Sequence, residues 1–115
     1  MIAVIFEATP TADGRDAYLQ WAARLAETLP GVDGFLSIER FQSLARPDAL
    51  LSLSFWRDEE AVAAWRNLES HRAAQAAGRG KFFADYRLRV AAVVRDYGMD
   101  DRAQAPGDSR AAHSG

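Results

Sequence analysis

The sequence predicts one α+β domain of the ferredoxin-like kind, a βαββαβ sandwich with an antiparallel sheet, two copies of which form a dimeric α/β barrel. A chain of 115 residues suits one hydrophobic core. Four short alternating runs and two segments with apolar residues every three or four positions supply the elements. One face of the predicted sheet carries too many apolar side chains to remain in water, which favours a dimer.

The first strand and the first helix occupy the first thirty residues. The run from Ile2 to Phe6 is short, β-branched and aromatic, and a cluster of turn residues follows it. It predicts the first strand. Apolar residues then recur at helical spacing from Tyr18 to Leu29, which predicts the first helix, and Pro30-Gly31 is expected to end it.

The next two runs predict a β-hairpin. Residues Gly34 to Phe41 alternate in character, with Ile38 and Arg40 on one side, and this predicts the second strand. Residues 46–48 form a turn signal, and the run Leu50 to Trp56 alternates again. The second and third strands are therefore expected to pair.

A second helix, a fourth strand and a tail complete the chain. Asp58 to Glu60 supply a capping acid and a negatively charged first turn, Ala61, Val62, Trp65 and Leu68 give a buried stripe, and residues 78–80 are expected to end the helix. The run Tyr86 to Tyr97 predicts the fourth strand. Residues 98–115 show no apolar periodicity, so we expect a folded domain over 1–97 and a disordered tail over 98–115.

Composition narrows the classes of function. A formal charge of −2 and a pI near 5.6 provide no basic surface for nucleic acid. The sequence contains no apolar run long enough to predict a membrane span. It contains no cysteine, which excludes disulfides and thiolate metal sites. The first residues lack the basic segment of a signal peptide, so we expect a cytoplasmic protein. We also expect no metal site.

Alternation also divides the strand residues between a face that contacts the helices and an open face. The open face mixes large apolar groups with charges, which suits the partly polar interior of a twofold dimer. Predicted for the helix side are Ile2, Val4, Phe6, Leu36, Ile38, Leu51, Leu53, Phe55, Leu88, Val90 and Val94. Predicted for the open face are Ala3, Ile5, Glu7, Phe35, Ser37, Glu39, Phe41, Leu50, Ser52, Ser54, Trp56, Arg87, Arg89, Ala91 and Val93.

A family resemblance rests on the segment from Phe55 to Arg66, FWRDEEAVAAWR, followed by His71 and Ala74. A strand that ends in an aromatic pair, an acidic helix start, a helix Trp and a His six residues later resemble the antibiotic biosynthesis monooxygenase family. The segment Gly31 to Phe35 is similar to that family's entry to its second strand. The resemblance covers roughly residues 1–97 and implies the fold, the homodimer and a monooxygenase activity.

The resemblance implies a small dimeric oxygenase without bound metal or flavin. A small aromatic, phenolic or quinol-type substrate would be deprotonated and would supply the electrons for reaction with O₂. We expect catalytic roles for His71, Glu7 and Arg87, with His71 as the base because imidazole titrates near neutrality. Expected substrate-binding residues are Trp65, Trp56, Glu39, Arg89 and Phe35.

Structural roles without any catalytic function remain open for these residues. His71 is also compatible with a position on the helix surface, and Trp65 with packing in the core. Glu7, Glu39, Arg87 and Arg89 are compatible with an ion-pair network between subunits. A non-catalytic dimeric module that binds a small ligand is the alternative function. A haem-degrading branch of the family is disfavoured: its Trp corresponds to Trp65, but its strand Asn falls on or near Glu7 and its ligand His on Gln75. His71 is the substitute ligand that keeps the haem alternative open.

Overall fold

The computed structural model describes residues 1–77 and 82–108, with side chains described up to residue 68 and from residue 82 onward. Its elements follow the predicted order βαββαβ. They are β1 (Ile2–Pro10), α1 (Arg15–Thr28), a short 3-10 turn (Leu29–Gly31), β2 (Phe35–Gln42), β3 (Leu50–Trp56), α2 (Glu59–Ala77) and β4 (Phe83–Ala92). No described helix is long and apolar enough to cross a membrane.

The four strands form one antiparallel sheet in the order β2-β3-β1-β4. β1 is a central strand: it pairs with β3 from Ile2 to Ala8 on one side and with β4 from Ile2 to Pro10 on the other. Because directly paired residues of neighbouring strands point to the same face, the register assigns every strand residue to a face. The predicted ferredoxin-like α+β fold is confirmed.

Both helices pack on the face of the sheet that bears Val4 and Trp56. These two residues form a buried cluster with Leu25 of α1 and with Val62 and Trp65 of α2. Asp58 caps α2 as predicted, since its Oδ1 accepts a hydrogen bond of 2.9 Å from the N–H of Ala61. Leu68, predicted for the buried stripe, is instead 55% exposed, so α2 contributes to the core through its first turns.

Strand boundaries differ from the predicted ones at both ends of the sheet. β1 continues past Phe6 to Pro10 because β4 begins early, at Phe83, and pairs with it there. β4 ends at Ala92 rather than Tyr97, because Ala92 is paired with Ile2 and β1 offers no strand residue beyond it. Residues 98–108 form turns in which Ala105 is buried, and residues 109–115 lie outside the described part of the chain.

β3 has the opposite orientation to the predicted one. Ser54 lies between Val4 and Ile38 and faces the helices, so Leu50, Ser52 and Trp56 do as well. Leu51, Leu53 and Phe55 therefore occupy the open face. The prediction was wrong because it gave the larger aliphatic residues to the helix side, whereas the helix side of β3 carries two serines.

Phe35 also faces the helices, contrary to prediction. A β-bulge between Phe35 and Ser37 inserts Leu36 as an extra residue, and this reverses the phase at the start of β2. The Phe35 ring packs edge-on against Trp56, with ring centroids 5.3 Å apart. Leu36, predicted for the helix side, is 52% exposed.

A tight joint connects the start of β2 to the start of α2. Gly34 has a φ of +84°, and its carbonyl accepts a 2.7 Å hydrogen bond from the N–H of Arg57. The Arg57 guanidinium donates two 3.1 Å hydrogen bonds to the carboxylate of Asp33 and one to Asp58. The hydrogen bonds from Arg57, together with its charge, lower the pKa of Asp33 below the ordinary value, and the hydrogen bond from the N–H of Ala61 lowers that of Asp58.

Candidate functional site

A small cavity lies between the sheet and the helices. Its volume is about 50 Å³, which is room for one or two water molecules. β1, β2 and β3 contribute their helix-facing side chains, and α1 and α2 close it from above. The lining residues are Val4, Phe6, Tyr18, Trp21, Leu25, Ile38, Arg40, Ser52, Ser54, Trp65 and Leu88.

Two hydrogen-bond donors at this cavity, Nε of Arg40 and Nε1 of Trp65, are buried and have no acceptor among the described residues. A buried donor left unpaired costs about 1–3 kcal/mol, more when it is charged. These two groups therefore favour a ligand that presents an acceptor oxygen to the cavity. They distinguish the cavity from the rest of the core, whose described members are almost all apolar.

The surrounding packing fixes the position of Trp65. Its ring lies against that of Trp56, with centroids 5.2 Å apart, and Trp56 is completely buried. The Trp56 indole N–H donates a 2.9 Å hydrogen bond to Ser54 Oγ, so Trp56 is satisfied within the core. Ser54 can still donate its hydroxyl hydrogen toward the cavity. Trp56 thus supports the site from behind, without lining it.

The four charged strand residues lie together on the open face, as predicted. The register places Glu7 directly opposite Arg87, and Glu39 lies in the same cross-strand row as Arg89. Arg89 Nη1 is 3.5 Å from Glu7 Oε2, and both side chains are about half exposed, at 51% and 46%. An exposed pair of this kind contributes little stability by itself.

The sheet therefore separates the predicted site residues into two groups. Trp65, Trp56 and Phe35 lie on the helix side, while Glu7, Glu39, Arg87 and Arg89 lie on the open side. His71 belongs to α2, but its side chain lies outside the described residues. A base from Glu7 and a binding surface from Trp65 cannot serve one small substrate within a single subunit, because the sheet lies between them.

Sequence reasoning missed Arg40, Ser52 and Tyr18, which all line the cavity. The available signal was the alternation of Ile38 and Arg40, which places a charged residue on the face that otherwise builds the core. Among the described residues, no cluster of three or more His, Asp or Glu side chains is suited to hold a metal ion.

Comparison with known proteins adds a family and a fold. Residues 1–77 match the family described as antibiotic biosynthesis monooxygenase. The chain is 46% identical over 94 residues to the jasmonate monooxygenase ABM of Pyricularia oryzae, a match that covers 82% of this chain and 44% of that protein. The chain thus spans less than half the length of that relative.

Solved structures share the fold at low sequence identity. Rv0793 from Mycobacterium tuberculosis superposes with a TM-score of 0.71 at 18% identity, covering 84% of this chain and 98% of that one. MhuD, in a structure with two manganese protoporphyrin IX molecules bound per active site, gives a TM-score of 0.66 at 22% identity and covers 85% and 99%. At these identities the similarity shows the fold alone.

Proposed function

The chain belongs to the antibiotic biosynthesis monooxygenase family, and from that premise we propose that it is a cofactor-independent monooxygenase whose site is the cavity between sheet and helices. The single observation that carries the proposal is the pair of buried, unpartnered donors, Arg40 Nε and Trp65 Nε1, at that cavity. They would donate hydrogen bonds to an oxygen atom of the substrate and so hold the substrate in the cavity.

The proposed substrate is a small aromatic, phenolic or quinol-type molecule that reacts with O₂. Loss of a proton makes such a molecule electron-rich enough to reduce O₂ directly. When a CH₂ group is oxidised to a carbonyl, one oxygen atom enters the product, the other leaves as water, and the two C–H bonds supply all four electrons. No external reductant is then required.

The cavity is smaller than a typical ligand site of about 300–1,000 Å³. Lining side chains must therefore move to admit a substrate. Trp21 and Leu88 are suited to this, because each is partly exposed while also lining the cavity.

The substrate panel consists of phenols, quinols and jasmonate, the last because the name of the Pyricularia relative specifies it.

We expect oxygen uptake with at least one member of that panel, in buffer with a metal chelator and with protein that shows no visible absorbance. Trp65→Phe keeps an aromatic ring, although a smaller one, and removes the Nε1 donor; we expect it to lower turnover about 10-fold, the effect of one hydrogen bond to a charged group. Uptake no faster than autoxidation for every compound, or abolished by the chelator, would contradict the proposal.

Haem is a poor fit to the described residues. Of the two haem-branch positions whose side chains the structure describes, Trp65 lines the cavity and Glu7 lies on the other face of the sheet. β1 instead contributes Val4 and Phe6, which offer no polar group. A Soret shift on titration with haem would favour this alternative over the cofactor-independent reaction.

We also propose that the protein is a twofold homodimer through the open face. Ile5, Leu51, Leu53 and Phe55 form an apolar patch there that no helix of the same chain covers, and the half-exposed ion pair of Glu7 borders it. Burial of this patch against a second copy removes it from water.

Leu53→Arg places a charge at the centre of that patch and should convert a dimer to a monomer in sedimentation experiments at micromolar concentration. Leu44→Arg is the matched control, because Leu44 is fully exposed outside the sheet and its replacement should leave the dimer intact. A wild-type monomer, or a dimer unaffected by Leu53→Arg, would contradict this assignment.

A further inference from the structure

Arg40 occupies an unusual position for a charged residue. It lies on β2 directly opposite Ser52, which in turn lies opposite Phe6, and this row faces the helices. Its side chain is half-buried, and its Nε is fully buried without an acceptor. A guanidinium carries five N–H donors and no acceptor, and it stays protonated at every ordinary pH. The buried Nε–H therefore needs an acceptor atom from a partner, because loss of the proton does not relieve it.

The electrostatics of the cavity are one-sided. Among its described lining residues, Arg40 is the single charged group, and no carboxylate accompanies it. Glu39, next to it in sequence, points to the other face of the sheet with Glu7. A positive charge next to an apolar cavity, with no counter-charge among the described residues, favours an anionic ligand.

The remaining lining defines the other end of the ligand. Apart from two serines and Arg40, the described lining consists of aromatic and aliphatic side chains, including Trp21, Leu25 and Ile38. Such walls stabilise an apolar body by burying it, while the polar groups fix its orientation. A ligand that is apolar at one end and anionic at the other matches both features.

We propose that Arg40 is the specificity-determining residue of this site and that it selects substrates carrying a carboxylate on a small apolar body. This inference rests on the proposed function of the cavity and names the class of substrate. Arg40 Nε donates to one carboxylate oxygen, and Trp65 Nε1 and the serine hydroxyls supply the further donors. The guanidinium binds the part of the substrate that does not react, so it acts in recognition.

Anaerobic calorimetry tests the proposal separately from catalysis, because no turnover occurs under argon. Benzoate and benzamide are the probes, since they share a shape and differ in charge. We expect wild-type protein to bind benzoate at least 10-fold more tightly, the usual effect of a hydrogen bond to a charged group. In Arg40→Met the two affinities should lie within about 3-fold, because the stem is kept and the charge is lost.

Arg24→Met is the matched control, since Arg24 is an exposed arginine of α1 that does not line the cavity. It should keep the benzoate preference. Arg40→Met should melt no lower than wild type, because the substitution removes an unpaired buried donor; a residue kept for structure would give the opposite result. Equal binding of both probes to wild type, no binding of either, or an unchanged preference in Arg40→Met would overturn the proposal.

The same experiments distinguish the two proposals. A benzoate preference that depends on Arg40, without oxygen uptake on any substrate, leaves the recognition role intact and removes the monooxygenase activity. Oxygen uptake without a preference for benzoate over benzamide leaves the monooxygenase activity intact and removes the recognition role of Arg40.

Discussion

Replacement of His71 by alanine is expected to lower turnover about 100-fold, the scale usual for a positioned acid–base group. The reaction proposed above needs a base at neutral pH. Among the described residues that line the cavity, none is a carboxylate or an imidazole. His71 is the histidine of α2, and imidazole is the side chain that most readily accepts a proton near neutral pH, so we propose it as the base.

Three comparisons make this result specific. His71→Gln should not restore turnover, because an amide cannot accept the proton. His113→Ala, which changes the other histidine of the sequence, should behave like wild type. Melting temperature and benzoate affinity should be unchanged in His71→Ala. Equal turnover in wild type and His71→Ala would exclude His71 as the base.

Gly34→Ala is expected to destabilise the fold by about 3 kcal/mol, combining a left-handed backbone on a residue with a side chain and an overpacked contact. Gly34 has a φ of +84°, and a Cβ placed there would clash with the Cβ of the buried Ala61. Ala61 sits in the first turn of α2, so relief of the contact would push that helix away from β2. The melting temperature should fall by roughly 10 °C.

Gly31→Ala is the control for this prediction. A Cβ at Gly31 meets nothing within 4 Å, and its φ is not positive, so its effect on urea unfolding should be small. The double variant Gly34→Ala/Ala61→Gly removes the steric contact and leaves the backbone strain, so we expect it to recover part of the loss. A Gly34→Ala protein as stable as wild type would show that the joint between β2 and α2 is not tight.

Hydropathy patterns predicted the elements well and the faces of β3 poorly. The alternation of Leu51, Leu53 and Phe55 with Ser52, Ser54 and Trp56 shows that the strand has two different sides, but it does not say which side meets the helices. When the serines of a strand line an internal cavity and its aliphatic residues form an apolar patch on the open face, the more hydrophobic side is not the core side. The bulge at Leu36, which turns Phe35 inward, leaves no mark in the alternation.

The same limit applied to the site. The resemblance led to Trp65, which does line the cavity, because a helix Trp after an acidic helix start is a local pattern that sequence can show. The position of Arg40 at the cavity depends on the register of β2 against β3 and of β3 against β1. No local sequence pattern shows that its Nε has no acceptor among the described residues. Grouping Glu7 with Arg89 was correct because strand alternation alone determines it.

The cavity also interrupts the interior. It separates two buried clusters, one around Trp56 and one around Tyr18, and Trp21 is the residue that packs against both. A gap of this kind in the packing of the side chains makes the folded protein occupy more volume than a close-packed interior would, and that excess disappears on unfolding. Hydrostatic pressure therefore opposes this fold, and a molecule that fills the gap between the clusters makes the protein less compressible as well as more stable.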